Sequence, residues 1–304
     1  MYDVIIIGSG PAGLTAAIYT TRDKLKTLII GGKTWGGQLQ LTTLVENFPG
    51  FPGGIQGPDL MSSMRKQAEG FGAEIIETDF SEGNFSKSPF KIIAGGKEYL
   101  GKTVIIATGT DTQWLGVPGE KEKIGHGISA CAPCDGPFFK NKKIIVVGGG
   151  NAAMEEALTL TRFADQVTIV YRKDALHRAS QLLLEQVENH PKIKILCNSQ
   201  IVEVLGDNKV EAVMLKDTKT HKVSEMPIEG IFVAISRVPK SEMFKEIEKD
   251  EQGYIRAHEM VKTNIEGVFV AGDVHNKPFQ QAVVAAGFGA MAGLEVKRYL
   301  ESSK

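Results

Sequence analysis

Two glycine-rich turns, each set between a strand-like run and a helix-like run, limit what this chain can fold into more tightly than any other feature. The first lies in "DVIIIGSGPAGLTAA": Asp3 to Ile7 reads as a short, mostly β-branched strand buried on both faces. Gly8, Gly10 and Gly13 follow at G-x-G-x-x-G spacing, then an Ala-rich helical pattern through about Thr21 and a second strand, "KTLII", ending at Ile30. The second turn lies in "KKIIVVGGGNAAMEEALTL", where Gly148, Gly150 and Ala153 repeat the spacing with alanine in third place. A helix is predicted there to about Phe163, and "QVTIVYR" supplies the next strand. In a β-α-β frame the three positions have separate tasks: a tight turn, approach of a pyrophosphate to the backbone, and close packing of helix on strand. The helix N-terminus then directs N–H groups and a partial positive charge at the phosphates. One such turn is weak evidence, but two in complete frames predict two dinucleotide sites.

The repeat extends further. "KTVIIATGT" follows the first unit and "EGIFVAISR" the second, both apolar strands ending in small-residue turns. A last strand, "TNIEGVFVAGDV", is read as ending at Gly272 and Asp273 and as a return of the chain to the first domain. The predicted fold is α/β, with two Rossmann-like (three-layer ββα) nucleotide-binding domains, the second inserted into the first. Boundaries are expected in the loops Thr110 to Gly119 and Arg237 to Met243, giving a first domain of 1–112 with 241–304 and a second of 113–240.

The chain has 304 residues, 42% hydrophobic, with a formal charge of −1, which describes a globular protein with no bias toward nucleic acid or an anionic membrane surface. No apolar run approaches the roughly 18 residues of a membrane span. "MYDVIIIG" enters a strand by its third residue, so no cleaved signal is expected and the cytoplasm is the default location. There structural disulfides are rare, and a Cys-x-x-Cys pair is more often catalytic or metal-binding.

The end of the second strand of a Rossmann unit reads the adenosine ribose, with a carboxylate for a 2′-hydroxyl and arginine for a 2′-phosphate. After the second turn the chain reads "YRKDALHRAS", so Arg172, Lys173 and Arg178 predict NADP rather than NAD, against the alternative of a solvated basic loop. After the first turn it reads "IIGGKTWGGQL", with Gly31 and Gly32 and no acid, which suggests backbone lying close along an adenosine group.

Two of the three cysteines stand in "SACAPCDGPFF". Two nucleotide sites and a dithiol suggest an electron path from nicotinamide through flavin to a disulfide. Cys131 and Cys134 are spaced to close a small disulfide ring, a motif that commonly lowers one thiol's pKa. Asp135 could carry the associated proton, and Pro133 removes a backbone donor and stiffens the ring. A zinc site would need two further ligands, and only Cys197 and six scattered histidines remain, so no metal is expected. Cys197, in "IKILCNSQ", is read as a buried strand residue.

With these residues in view, the chain resembles the low-molecular-weight thioredoxin reductases over nearly its whole length. "GSGPAG" resembles that family's FAD pyrophosphate loop, which implies Gly8, Ser9, Gly10, Pro11, Ala12 and Gly13. "GGQL" and "VENFPGFP" resemble its flavin-contacting stretch, which implies Gly37, Gln38 and Asn47. Gly31 and Gly32, and Thr108 with Gly109 at the end of "KTVIIATGT", are assigned to the same cofactor. "GVFVAGDV" implies Gly272 and Asp273 at the FAD ribityl chain, and "QQAVVAAG" implies Gln280, Gln281 and Ala282 at the helix beneath the flavin. "GGGNAAMEEA" resembles the NADPH loop, which implies Gly148, Gly149, Gly150, Asn151, Ala152, Ala153 and Glu155. By the same resemblance Cys134 would face the flavin, Cys131 would attack the disulfide of thioredoxin, Asp135 would be the acid–base residue, and the protein would be a homodimer.

The chain departs from the family pattern where Pro133 replaces the usual threonine or valine and where "YRKDALHRA" replaces His-Arg-Arg followed by Asp and Arg. Phe279-Gln280-Gln281 replaces Tyr-Arg-Gln, and Ser236 replaces a glycine. Most of these fall in or near the nicotinamide domain. The alternatives are therefore the same fold with NADH or a reduced ferredoxin or deazaflavin as donor, or a flavin-dependent dithiol oxidase. A nucleotide-sensing protein without catalysis would have no need of "CAPCDG".

Overall fold

The structure is a computed structural model and describes every residue except Thr43, Arg178, Ser303 and Lys304. The chain forms two compact units: Met1–Asp111 with Val238–Lys304, and Thr112–Arg237.

The first unit opens with β1 (Tyr2–Ile7), α1 (Pro11–Arg22) and β2 (Thr27–Ile30). The small antiparallel pair β3 (Leu44–Val45) and β4 (Ile55–Gln56) follows, then α2 (Gly57–Gly70) and β5 (Glu74–Ile76). A meander of β6 (Phe80–Asn84), β7 (Phe90–Ala94) and β8 (Lys97–Ile106) completes this part. Strands β5, β2, β1 and β8 run parallel, while the first half of β8 pairs antiparallel with β7. One long strand thus belongs to two layers. Strand β1 explains the continuous apolar run: Val4 and Ile6 enter the core beneath α1 and α2, while Ile5 and Ile7 enter a second core with Phe85, Phe90 and Ile92. Each fully buried Ile contributes about 1.5–3 kcal/mol relative to exposure.

The chain leaves through β9 (Thr110–Thr112) and returns through β18 (Arg237–Pro239), and these two crossing strands pair. The second unit contains β10 (Ile128–Ser129), α3 (Ala132–Asp135), β11 (Lys143–Val147), α4 (Asn151–Leu160) and β12 (Gln166–Val170). Then come α5 (Gln181–Glu188), β13 (Ile193–Leu196), β14 (Ser199–Leu205), β15 (Ala212–Asp217), β16 (Val223–Pro227) and β17 (Gly230–Val233). Its parallel sheet has the order β10-β17-β11-β12-β13, and β14-β15-β16 form an antiparallel layer. Ile145, Val170, Ile231 and Val233 of the parallel sheet pack on Ile201, Val204 and Val213 of that layer, while Ile144, Val146 and Phe232 pack with α4 on the other face. The α/β class with two Rossmann-like ββα units, one inserted in the other, is therefore present.

After the return, β19 (Val268–Val270) pairs parallel with β8 of the first unit, and α6 (Ala282–Ser302) ends the described chain. Strand β19 stops before Gly272, whose φ of +76° turns the backbone into a short 3-10 turn over Gly272–Val274. Gly289 and Gly293 of α6 face α1, where an added Cβ would lie 2.1 Å from the Ala12 carbonyl oxygen and 2.9 Å from Tyr19 Cβ respectively. The two helices approach this closely because both positions lack a side chain. Among the described residues no helix is long and apolar enough to cross a membrane.

Candidate active site

In the first unit the turn after β1 is closed on two sides and open on one. A Cβ at Gly8, whose φ is +117°, would lie 2.2 Å from the Ala107 carbonyl oxygen, and one at Gly13 would lie 2.0 Å from the Gly8 carbonyl oxygen. A Cβ at Gly10 would meet nothing within 4 Å. Gly10 is also the N-cap of α1 and offers no side-chain cap, with Pro11 in the first turn, so no capping side chain occupies the N–H groups there. That is the arrangement a pyrophosphate requires.

Ser9 ties the cradle together. Its hydroxyl donates to the Gly31 carbonyl (2.7 Å) and accepts from the Gly36 N–H (3.0 Å). Gly37, with φ +65°, lies beside the turn, its Cβ position 3.5 Å from the Gly10 Cα. Gly32 has φ +79°, and beside it Asp79 accepts from the Lys33 N–H at 3.0 Å. A carboxylate thus reaches the end of β2 from a distant loop, although none follows that strand in sequence. Sequence reading missed Asp79 for that reason.

The remaining residues assigned to this unit gather in smaller sets. Ala12 is buried beneath Gly272, where an added Cβ would lie 2.8 Å from the Ala12 Cβ. Gln38 donates to the Thr110 carbonyl (3.2 Å), and Asn47 donates to Gln281 Oε1 (3.2 Å). Gln280 reaches the Tyr254 hydroxyl at 3.4 Å. Thr108 donates to the Lys240 carbonyl (2.6 Å), and the Lys240 N–H returns to the Gly109 carbonyl (2.9 Å). Asp273 lies in the 3-10 turn with Oδ1 buried, and Ala282 opens α6.

The second unit builds its cradle differently. A Cβ at Gly148 would lie 2.4 Å from the Ala234 carbonyl oxygen, and one at Gly149 would lie 2.3 Å from the ring of Tyr171. Gly150 has nothing within 4 Å of its Cβ position and caps α4 without a side-chain bond. Ala153 is fully buried in the position that Gly13 holds in the first unit. Asn151 accepts the Ser180 N–H at 2.7 Å, so its side chain fixes the start of α5. Ala152 and Glu155 are exposed on the first turns of α4. Arg172 and Lys173 are exposed, but their carbonyls are held by the Thr218 hydroxyl (3.2 Å) and the Asn198 N–H (2.8 Å). Arg178 lies outside the described residues.

Cys131 and Cys134 form a disulfide, with Cα atoms 5.3 Å apart. The Cys131 carbonyl accepts from the N–H groups of Cys134 (3.2 Å) and Asp135 (3.0 Å), while the Cys131 N–H donates to Ser129 Oγ (3.0 Å). Pro133 falls in the first turn of α3, where a missing N–H leaves no helical bond unmade. Burial pushes the Asp135 carboxyl up, against a hydrogen bond with Ser129 that lowers it.

Glu156 is a second residue that sequence reading missed. Burial pushes its carboxyl up to about 7, opposed by the charge of Arg237 and by the Ala132 N–H, and reinforced by Asp135. A signal existed, since Glu156 interrupts the helical apolar stripe of Ala153, Ala157 and Leu160, all buried. Cys197 is a correction to the expectation of a buried strand residue. It is half-buried in the short link between β13 and β14, because the strand ends at Leu196. Among the described residues no group of three or more His, Cys, Asp or Glu side chains could hold a metal ion.

Two Rossmann-type units, each with an open glycine turn at a helix start, and a Cys-x-x-Cys disulfide are the features of a dinucleotide-dependent disulfide oxidoreductase. The pyridine nucleotide-disulphide oxidoreductase family model matches residues 2–289. Thioredoxin reductase from Rickettsia prowazekii is 47% identical over 98% of this chain and 97% of its own length. The enzyme of the same name from Mycolicibacterium smegmatis is 44% identical over 99% and 97%. The solved thioredoxin reductase from Streptococcus pyogenes superposes with a TM-score of 0.94 at 40% identity, covering 99% of both chains. The chain belongs to the pyridine nucleotide-disulphide oxidoreductases, in the branch of the low-molecular-weight thioredoxin reductases. Membership implies use of a flavin and a pyridine nucleotide, and the open positions at Gly10 and Gly150 fit two such dinucleotides.

Proposed function

We propose that this enzyme passes two electrons from NADPH through FAD to the Cys131–Cys134 disulfide, and from the resulting dithiol to thioredoxin. The observation that carries this reading is the presence, on one chain, of two glycine-opened cradles and a closed Cys-x-x-Cys disulfide. When bound, FAD supplies a two-electron relay between a hydride donor and a dithiol.

The chain's own residues supply binding and proton handling. Gly10 and the first turn of α1 hold the FAD pyrophosphate, with Ser9 and Gly37 shaping the opening. Gly150 and the first turn of α4 hold that of NADPH. Arg172 and Lys173 offer two exposed cations to its 2′-phosphate. Arg178 is assigned the same role from sequence. In the reduced enzyme the Cys131 thiolate attacks one sulfur of the thioredoxin disulfide, forming an intermolecular S–S bond and releasing a thioredoxin thiolate. Cys134 then attacks Cys131, which re-forms the intramolecular disulfide and releases the second thioredoxin thiolate. The two protons of the enzyme dithiol end on thioredoxin. Asp135, whose raised pKa brings it closer to neutral pH than a surface carboxylate, accepts and returns one of them. A homodimer completes the reading.

An anaerobic titration with NADPH, and separately NADH, tests it. NADPH is expected to bleach the flavin and expose two new thiols per chain, and the reduced protein to reduce a thioredoxin. Cys134→Ser is expected to retain flavin and its bleaching by NADPH while losing thioredoxin reduction. Failure of both nicotinamides, with reduction by ferredoxin or deazaflavin, replaces the donor and leaves the disulfide role standing. Failure of every donor to expose the thiols overturns the reading.

A further inference from the structure

Glu156 lies where the chemistry proposed above gives a carboxylate nothing to do. Helix α4 packs against the redox turn through Ala153, Ala157 and Leu160, in the same buried cluster as Ala132. Glu156 shares that side of the helix, and its carboxyl accepts from the N–H of Ala132, the residue between the two cysteines along with Pro133. Its Oε2 is buried, and among the described residues no hydrogen-bond donor reaches it. The charged groups that act on it are Arg237 from β18, which favours the ionised form, and Asp135 from α3, which opposes it. Arg237 is itself committed to the Ala130 carbonyl at 3.0 Å. Were capping of the turn the only task, a neutral amide would perform it without placing a carboxyl where burial resists ionisation.

We propose that Glu156 is a positioning residue that couples proton uptake to the redox state of the Cys131–Cys134 pair. The inference rests on the redox role proposed above. The oxidised pair carries no charge. Two electrons and one proton break the S–S bond into a thiol and a thiolate, and a second proton completes the dithiol. A thiolate beside an ionised Glu156 is disfavoured, so reduction draws a proton onto the carboxyl, and a protonated carboxyl favours the thiolate. Burial places the carboxyl's titration near pH 7, so the coupling operates across the neutral range.

The test uses cofactor-loaded wild-type protein and Glu156→Gln, equilibrated with thiol–disulfide buffers of graded ratio from pH 5.5 to 8.5. The mixtures are quenched by alkylation, and the dithiol fraction is read by mass. At pH 5.5 the two proteins are expected to coincide. At pH 8.5 the variant is expected to be reduced roughly tenfold more readily, which is about 30 mV for a two-electron couple. Superimposable curves, or a displacement of the same size at every pH, overturn the coupling and leave a purely structural cap. A wild-type pair inert to every buffer removes the redox role itself, a failure distinct from the first. Should Glu156→Gln fail to fold, the infrared difference spectrum of Asp135→Asn on reduction at pH 7 serves instead. A protonated-carboxyl band is expected to grow, and its absence overturns the proposal.

Discussion

In the first unit the middle residue of the glycine turn is Ser9, and the residue just past β2 is Gly31; in the second unit the corresponding pair is Gly149 and Tyr171. The first pair is held by the hydroxyl of Ser9 on the Gly31 carbonyl, and the second by an aromatic ring filling the space a side chain at 149 would take. Both leave the third residue of the turn, Gly10 or Gly150, facing open space. The same cradle is therefore reached by two packings, one polar and one apolar. The units also differ in the direction in which burial moves one ionisable group of each. In the first, burial pushes His275 down to about 4, its ring edge-on to Phe288 at 4.5 Å. In the second, burial pushes Glu156 up to about 7.

The sharpest way to break the comparison is to fill tight and open glycines in both turns. Gly8→Ala meets the Ala107 carbonyl and an unfavourable φ, so a loss of roughly 3 kcal/mol or more is expected by denaturant unfolding. Gly10→Ala adopts its backbone without strain, at φ −72°, and is expected to leave the fold within about 1 kcal/mol of wild type while lowering flavin content. Gly150→Ala is expected to keep flavin and raise KM for the pyridine nucleotide. Equal losses of stability at Gly8 and Gly10 would remove the distinction between tight and open positions.

The buried acid and base should give the units opposite pH responses. The folded value of His275 is depressed, so its contribution is present above about 6.5 and lost as pH falls through about 4. Glu156 has a raised folded value, so its contribution is present below about 4.5 and lost as pH rises through about 7. Each swing is about 3.5 kcal/mol at most, at about 1.4 kcal/mol per pKa unit. Melting curves across pH are expected to lose their acid-side decline in His275→Phe and their neutral-side decline in Glu156→Gln. A variant that shifts every pH equally would show that its side chain acts by packing alone.

Gly149→Ala drives a methyl into the Tyr171 ring and is expected to cost about 2 kcal/mol. With Tyr171→Ala in a double-mutant cycle, a coupling of at least about 1 kcal/mol is expected, and additivity would show that the ring is not what excludes a side chain at 149. The smallest effect is assigned to Arg172→Ala, about tenfold in KM for NADPH with little change for NADH, since the side chain is exposed and its loss would remove one charge-assisted contact to the proposed 2′-phosphate. An equal change for both nucleotides would place Arg172 away from the 2′-phosphate.

Some of this was legible in the linear chain because it depends on neighbours within one β-α-β unit. The turn at Gly8–Gly13 demands a positive φ and a bare helix start, and only glycine at those spacings meets both demands. The run Val4–Ile7 shows burial on both faces because polar residues are absent from it. The antiparallel layer β14–β16 offers no motif, since its pairing depends on register between segments far apart in sequence. Cys197 was misread because an apolar run continues past the last paired residue of β13.

From the order of residues alone came the two glycine turns between strand and helix, the insertion of one unit within the other, and a cysteine pair spaced to close a ring, since each is set by local periodicity, backbone φ or covalent reach. Tertiary structure decided that Asp79 reaches the end of β2, that Asn151 anchors Ser180, and that Glu156 lies against the redox turn. Those assignments belong to folding because burial, which pushes the Glu156 carboxyl up to about 7, is a property of the neighbours packed around a residue and not of the residue.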